Sequence, residues 1–311
     1  MRKPKLIISK CLNSEKCRYD GQGYDDKVIS LLREYIDIET VCPESAIGLP
    51  TPRNPIRIET HNNKYTLTEL NSGLDYTSQM TEFAEEFLSN IDDIDGFILK
   101  SKSPSCGIKD VKVYPKDNKI SIRKDGTGVF ANKVLEKSLN VPIENEGRLK
   151  NYDIRDDFLT KIFTINNLKN EENIIDFHNK NLLLLKSYNR VLTNELSNLI
   201  NKESLSDEDI TLYKSKVYEI LSSKRDKDSK VNISKDIFDR YEKSLNEEEK
   251  NYFKELLNLY EKKKIPFSSI KVALQMYGLR FEDKDLLTQT FFNPYPEELI
   301  SVTDSGKGRN L

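Results

Sequence analysis

The stretch KLIISKC, Lys5–Cys11, decides how the first half of the chain is read. Its apolar centre, Leu6-Ile7-Ile8, is too short for a helix and does not alternate with polar residues. It fits a strand buried on both faces, the kind that builds a parallel sheet. A cysteine follows as soon as that strand ends. The pattern recurs at Ile38–Val41, which is β-branched and ends at Cys42, and at Asp95–Lys100 (DGFILK), with Cys106 just past its end.

Between these strands the period changes. Asp26–Ile36 reads as an amphipathic helix with Val28, Leu31, Leu32, Tyr35 and Ile36 on one face. Ser78–Asn90 reads as another, with Met80, Phe83, Ala84, Phe87 and Leu88 inward. Ile56–Glu59 and Lys64–Leu67 flank the Asn62-Asn63 turn as a small hairpin. Gly128–Leu139 gives a further helix and Val141–Glu144 a short strand. This order predicts an α/β domain with a mostly parallel, Rossmann-like sheet. In such sheets ligands sit at the carboxyl edge, near the point where strand order reverses. Cysteines at positions 11, 42 and 106 therefore converge at one edge despite their separation in sequence.

After about residue 150 apolar residues recur at three- and four-residue spacing with few strand signals. Helices are expected at 153–166, 171–187, 189–201, 207–222, 234–244, 246–263, 266–277 and 283–290, an all-α helical bundle. The polar linker Glu144–Asp153 contains Gly147, so the expected domains are 1–150 and 151–311.

Composition narrows the class of protein. The chain has 311 residues, 37% hydrophobic and 32% charged. No run approaches the roughly 20 apolar residues that a membrane span needs. Leu6–Ile8 is also too short for the apolar core of a signal peptide, so a cytoplasmic location is expected. With 49 basic and 51 acidic residues, the net charge of −2 excludes a wholesale basic binder of nucleic acid. Local patches remain: Lys100, Lys102, Lys109, Lys112, Lys116, Lys119, Arg123 and Lys124 fall within 25 positions. They read either as phosphate contacts or as a solvated hairpin face.

Four cysteines in such a chain point to reactivity or metal binding rather than disulfides. None forms a C-x-x-C pair, which argues against zinc ribbons and thioredoxin-like chemistry. Three widely spaced thiolates suit a cluster with one iron left without a protein ligand; buried structural thiols are the bland alternative. The flanks favour the site. Cys42 sits in VCPE followed by IGLPTPR, and Cys106 in SKSPSCG, a hydroxyl-rich turn. Cys17, in CRYDG, reads as a loop cysteine without ligation, as a transient sulfur carrier, or as a thiol that closes the fourth iron. His178 reads as a satisfied core histidine and His61 as an exposed turn residue. Arg53 and Arg57 read as partners of carboxylates or as contacts for a phosphate.

The same segments carry a family resemblance. Ser9–Gly21 (SKCLNSEKCRYDG), Val41–Arg57 (VCPESAIGLPTPRNPIR), Leu99–Gly107 (LKSKSPSCG), Gly126–Phe130 (GTGVF) and Pro142–Leu149 (PIENEGRL) resemble the successive motifs of the bacterial thiouracil desulfidase family. Arg155–Phe163, Phe177–Ser187 and Asn293–Leu299 resemble the helical domain fused to it in two-domain members. The resemblance implies a [4Fe-4S] cluster on Cys11, Cys42 and Cys106, with Glu44 and Ser103 as candidates for catalysis. It implies a non-redox desulfidase acting on thiolated uracil, as free thiouracil or as 4-thiouridine in tRNA, with the helical domain binding tRNA. A non-catalytic metal- or cluster-containing module that binds RNA or senses redox state is the alternative reading.

Overall fold

The computed structural model describes residues 2–62, 64–116, 118–137 and 140–300. The first buried run forms β1 (Lys5–Ser9), in which Leu6, Ile7 and Ile8 are fully buried. It is followed by α1 (Lys27–Leu32), β2 (Asp37–Val41), the single turn α2 (Pro43–Ala46), and the hairpin strands β3 (Ile56–His61) and β4 (Lys64–Glu69). Next come α3 (Thr77–Asn90), β5 (Gly96–Leu99), β6 (Val111–Pro115), β7 (Arg123–Gly126), α4 (Val129–Glu136) and β8 (Ile143–Asn145).

The strands form two sheets. One is entirely parallel, in the order β2-β1-β5-β8, and is the α/β sheet expected from the sequence. After β1 the chain adds β2 on one side and later β5 on the other, so strand order reverses at β1. The carboxyl edge beside β1 is thus the crevice where such sheets hold ligands. Register sharpens this placement: Ser9 pairs with Val41, and Ile8 with Ile98. The chain therefore leaves β1 and β2 side by side, towards Cys11 and Cys42.

The second sheet, β4-β3-β6-β7, was not expected as a sheet. β3 pairs with β6 in parallel, and the other two pairs are antiparallel. Val111 and Val113 supply the buried positions of β6, whereas Arg123, Lys124 and Asp125 of β7 are exposed. That strand exists through its pairing and not through its own residues. An apolar core joins Ile7, Val41 and Phe97 to Ile58, Leu67 and Val113. Met80, Ala84 and Leu88 of α3 and Phe130 of α4 complete it, with Phe83 and Phe87 packed alongside.

Helix α1 differs from its expected form. Asp26 caps it, accepting from the amides of Val28 and Ile29, and it stops six residues on. Its inward residues are Ile29 and Leu32, while Leu31 lies exposed. Leu139, in the expected tail of α4, lies outside the described residues.

The chain divides into two compact units, 1–166 with 296–311, and 167–295. The division falls inside α5 (Tyr152–Asn170) and not in the polar linker before it. The cause is local packing. A Cβ on Gly96 would stand 3.1 Å from Ile162, and the Asn166 amide donates to the Arg2 carbonyl at 2.8 Å. The early turns of α5 are thereby fastened to the parallel sheet.

The second unit contains α6 (Ile174–Tyr188), α7 (Arg190–Ile200), α8 (Asp207–Ser222), α9 (Lys227–Phe238), α10 (Glu247–Glu261), α11 (Phe267–Arg280) and α12 (Lys284–Leu287). The helix expected at 234–244 begins earlier, because Asp226 accepts from the Ser229 amide and caps it there. The segment expected at 283–290 is helical only over the four residues of α12. Phe238 stacks on Phe253 at 4.2 Å in the bundle core. His178 is 2% exposed and bonds Tyr213 at 3.1 Å and Ser197 at 3.0 Å, as a satisfied core histidine should. No described helix is long and apolar enough to cross a membrane.

Candidate thiol site at the edge of the parallel sheet

Each cysteine is placed by an element that ends at the same edge. Cys11 lies in the short 3-10 turn Lys10–Leu12 that continues β1. Cys42 follows Val41 directly and occupies the N-cap position of α2, where Pro43 opens the turn. Its sulfur accepts a hydrogen bond from the Ser45 hydroxyl at 3.2 Å and lies 3.9 Å from the Cys17 carbonyl oxygen. Cys106 is buried in the loop after β5. None of the four cysteines is in a disulfide.

The Cys106 loop is shaped by its own hydroxyls and by Gly128. Ser103 Oγ accepts the amides of Ser105 at 3.2 Å and Cys106 at 3.1 Å. The Gly128 backbone presses so closely that a Cβ there would stand 2.4 Å from Ser105 C and O. Only glycine permits that approach, which accounts for the GTG sequence at 126–128.

The thiols sense one another. The neighbouring Cys11 thiol is the main cause raising the Cys17 pKa to about 11, opposed by the Cys42 thiol. Cys42 is pushed up by its contact with Cys17 and then by burial. Burial is the main cause lifting Cys106 to about 12, opposed by hydrogen bonds with Ser9 and Ser103 and reinforced by the Glu44 and Cys42 charges. Without a metal these three sulfurs hold their protons at neutral pH, and a bound metal would displace them.

Glu44, two residues beyond Cys42, is fixed at both oxygens. Oε2 accepts from Arg53 Nε at 2.8 Å and pairs with its terminal nitrogen, and Oε1 accepts from the Ser105 hydroxyl at 2.8 Å. Arg53 is thus a carboxylate partner, as is Arg57, which holds Glu59. Because Ser105 precedes Cys106, the carboxylate ties the Cys42 loop to the Cys106 loop.

Several residues escaped the sequence reading. Ser9, 1% exposed, accepts the Lys100 amide at 2.9 Å and faces the Cys106 thiol. Ser105, fully buried, gave no signal beyond its place in SPSC. Glu146, inside the PIENEGRL segment, is 3% exposed; it pairs with Lys100 and accepts from Ser101 Oγ at 2.6 Å. Lys100 lies 5.3 Å from the Tyr24 ring centre, and the Tyr24 amide donates to the Cys11 carbonyl at 2.8 Å.

The donor set fits a cluster better than a single ion. Among the described residues, no group of three or more His, Cys, Asp and Glu side chains could hold one metal ion. A four-iron cluster instead takes one thiolate per corner and spreads them around a cube. Soft sulfur donors from three loops, next to a buried apolar core, suit iron and sulfide.

The fold and site define an α/β protein with free thiols in the loops that follow its parallel strands. Residues 6–146 match the family described as 2-thiouracil desulfurase, and residues 182–296 match one described as a protein of unknown function, DUF1722. The chain is 31% identical over 149 residues to the uncharacterized protein YbbK of Bacillus subtilis, covering 45% of this chain and 96% of that protein. A solved structure of the [4Fe-4S]-dependent thiouracil desulfidase TudS shares 29% identity, covers 47% of this chain and 93% of its own, and gives a TM-score of 0.37. The chain belongs to the 2-thiouracil desulfurase family.

Proposed function

We propose that this protein is a [4Fe-4S]-dependent desulfidase that replaces the sulfur of thiolated uracil by oxygen, with Cys11, Cys42 and Cys106 holding the cluster. The observation that supports the reading is that the strands leading to Cys11 and Cys42 run side by side, and that Glu44 accepts from Ser105, the neighbour of Cys106. When bound, the cluster supplies a soft Lewis-acidic iron that polarises a thiocarbonyl.

The chain's own residues account for the protons. The net reaction converts a thiocarbonyl and water into a carbonyl and hydrogen sulfide, with no change of oxidation state. Glu44, held in place by Arg53 and Ser105, takes a proton from the attacking water and returns it to the departing sulfur. Ser103 uses its oxygen to accept two backbone amides, so its hydroxyl proton is available to the uracil ring. The buried Cys106 loop excludes bulk water from one side of the site.

The substrate is thiolated uracil as the free base or as 4-thiouridine in tRNA. Exposed Lys112, Lys116, Lys119 and Lys124 make no ion pair among the described residues and support the RNA form. Binding through them would weaken with salt. The first compact unit, 1–166 with 296–311, acts as the desulfidase part, and the helical unit 167–295 as the tRNA-binding part. The test is anaerobic reconstitution with iron and sulfide, followed by sulfide release from 4-thiouridine-containing tRNA beside free 2- and 4-thiouracil. Turnover that disappears in Cys106→Ala is expected, and faster turnover on tRNA identifies the RNA form as the substrate. A cluster-loaded protein inert on all three overturns the reading in favour of a non-catalytic RNA-binding or redox-sensing module.

A further inference from the structure

The loop after β5 hangs between two carboxylates. Glu44 holds Ser105 at one end. At the other, Glu146 Oε2 accepts the Ser101 amide at 2.8 Å and Oε1 accepts the Ser101 hydroxyl at 2.6 Å. Glu44 has a part in the proposed reaction, whereas Glu146, 4% exposed at the side chain, has none.

Glu146 also carries an ammonium. Lys100, the residue after β5, pairs with Glu146 Oε1 and donates to the Ser101 hydroxyl at 3.3 Å. The Lys100 amide donates to Ser9 Oγ at 2.9 Å, so the residue stands where β1 and β5 end side by side. Its Nζ lies 5.3 Å from the centre of the Tyr24 ring. Tyr24 is fixed at two points: its amide donates to the Cys11 carbonyl at 2.8 Å, and Lys150 Nζ donates to its hydroxyl at 3.4 Å. The Lys100 ammonium therefore links the Cys11 loop to the start of the Cys106 loop.

Fastening the loop does not require this lysine. The Ser101 amide and hydroxyl already tie it to Glu146, and a buried ion pair is often no more stabilising than an apolar pair of similar volume. An ammonium has three N–H donors. Glu146 and Ser101 use two, and the third meets no oxygen or nitrogen among the described residues. A largely buried cation, aimed by two bonds and left with one spare donor, is arranged to meet an acceptor on a ligand.

From this arrangement, and resting on the reading of the site as a thiouracil desulfidase, we infer that Lys100 is a specificity-determining residue and Glu146 its positioning residue. The spare N–H of Lys100 donates to the ring carbonyl oxygen that the reaction leaves untouched, the C2 oxygen when sulfur is at C4. The substrate class is then a pyrimidine with a carbonyl and a thiocarbonyl in the 2,4 pattern, and not any thioamide. A ring without that oxygen leaves the donor unpaired, and such a loss discriminates far more strongly than a missing apolar contact.

The experiment uses the full-length protein loaded with iron and sulfide without oxygen, and two substrates. These are 4-thiouracil and pyrimidine-4-thione, which carries hydrogen in place of the C2 oxygen. The readout is the ratio of kcat/KM for the two, compared between wild type and Lys100→Met. The ratio should favour 4-thiouracil in wild type and fall by at least about tenfold in the variant, the lower end for a charge-assisted hydrogen bond. Glu146→Gln keeps an acceptor for Ser101 but loses the charge that aims Lys100; its ratio should fall in the same direction, through KM and not kcat. Equal losses on both substrates mark Lys100 as structural and overturn the inference, with the desulfidase reading left standing. A loaded wild type inert on 4-thiouracil overturns that reading and the inference with it.

Two further measurements separate folding from recognition. Lys100→Met/Glu146→Gln removes both charges together, so no lone buried carboxylate remains, and its ratio should match that of Lys100→Met. Calorimetric binding of uracil and of pyrimidin-4-one, neither of which has sulfur to lose, reads recognition without turnover. Wild type should bind uracil at least about tenfold more tightly than pyrimidin-4-one, and both Lys100 variants should bind the two alike. Equal affinities in wild type overturn the inference.

Discussion

The Glu44–Arg53 pair permits a quantitative test. Arg53 is 3% exposed and Glu44 13% at the side chain, so removing the guanidinium leaves a nearly buried carboxylate with the Ser105 hydroxyl as its remaining donor. Breaking a buried pair from one side costs about 3–5 kcal/mol. The surviving Ser105 bond puts Arg53→Met at the lower end, ~3 kcal/mol. For a unit of this size that corresponds to a fall in melting temperature of roughly 6–12 °C. Glu44→Gln removes the charge but leaves an amide oxygen for Arg53, and should cost less, about 2 kcal/mol. The decisive quantity is the coupling. In a double-mutant cycle followed by thermal unfolding, Arg53→Met/Glu44→Gln should recover ~2 kcal/mol relative to the sum of the single variants. Strict additivity would refute the claim that Arg53 holds Glu44 and thereby ties the Cys42 loop to the Cys106 loop.

Further expectations follow from other contacts. Gly128→Ala places a methyl group 2.4 Å from the Ser105 backbone, so the Cys106 loop must move. The variant should lose about 1–3 kcal/mol and most of its iron, read by melting and metal analysis. His178 is held down to about 4, chiefly by burial and also by the Lys186 charge, so the unfolded chain takes its proton first. The associated stability is complete above pH 6.5 and falls by roughly 3 kcal/mol towards pH 4; urea titrations should show that loss and its absence in His178→Gln. Charge reversal at Lys119 and Lys124 should weaken tRNA binding uniformly across sequences and lower the salt slope by about 2, measured by filter binding. Chelating the iron should lower the melting temperature of the first unit, since a ligand bound only to the folded state stabilises it.

Much of the fold was legible because short buried runs and helical periods alternate from Lys5 to Asn145. Leu6–Ile8 and Phe97–Leu99 have no polar face, and only a sheet covered on both sides accommodates them. The second sheet was hidden because β7 has no apolar residue and β6 only two buried ones. Its stability comes from partners distant in sequence. Helix α9 was misplaced because its cap, Asp226, precedes a run of polar residues with weak periodicity. At the site, Cys11, Cys42 and Cys106 stood out by residue type and by their place after predicted strands, and Glu44 and Ser103 through the family resemblance. Ser9, Ser105 and Glu146 were not, since serine and glutamate are common and only tertiary contact makes these three buried donors and acceptors. Cys17 was visible as a residue and open in role, because its spacing from Cys11 does not decide between packing and ligation.

The most direct measurement loads wild type, Cys11→Ala, Cys42→Ala and Cys106→Ala with iron and sulfide without oxygen. It then quantifies bound iron, acid-labile sulfide and sulfide released from 4-thiouracil on the same samples. The expected result is about four irons and four sulfides per wild-type chain with turnover, and loss of both in each variant. Turnover that persists in a Cys106→Ala protein without iron would contradict the central claim, as would a fully loaded wild type that releases no sulfide.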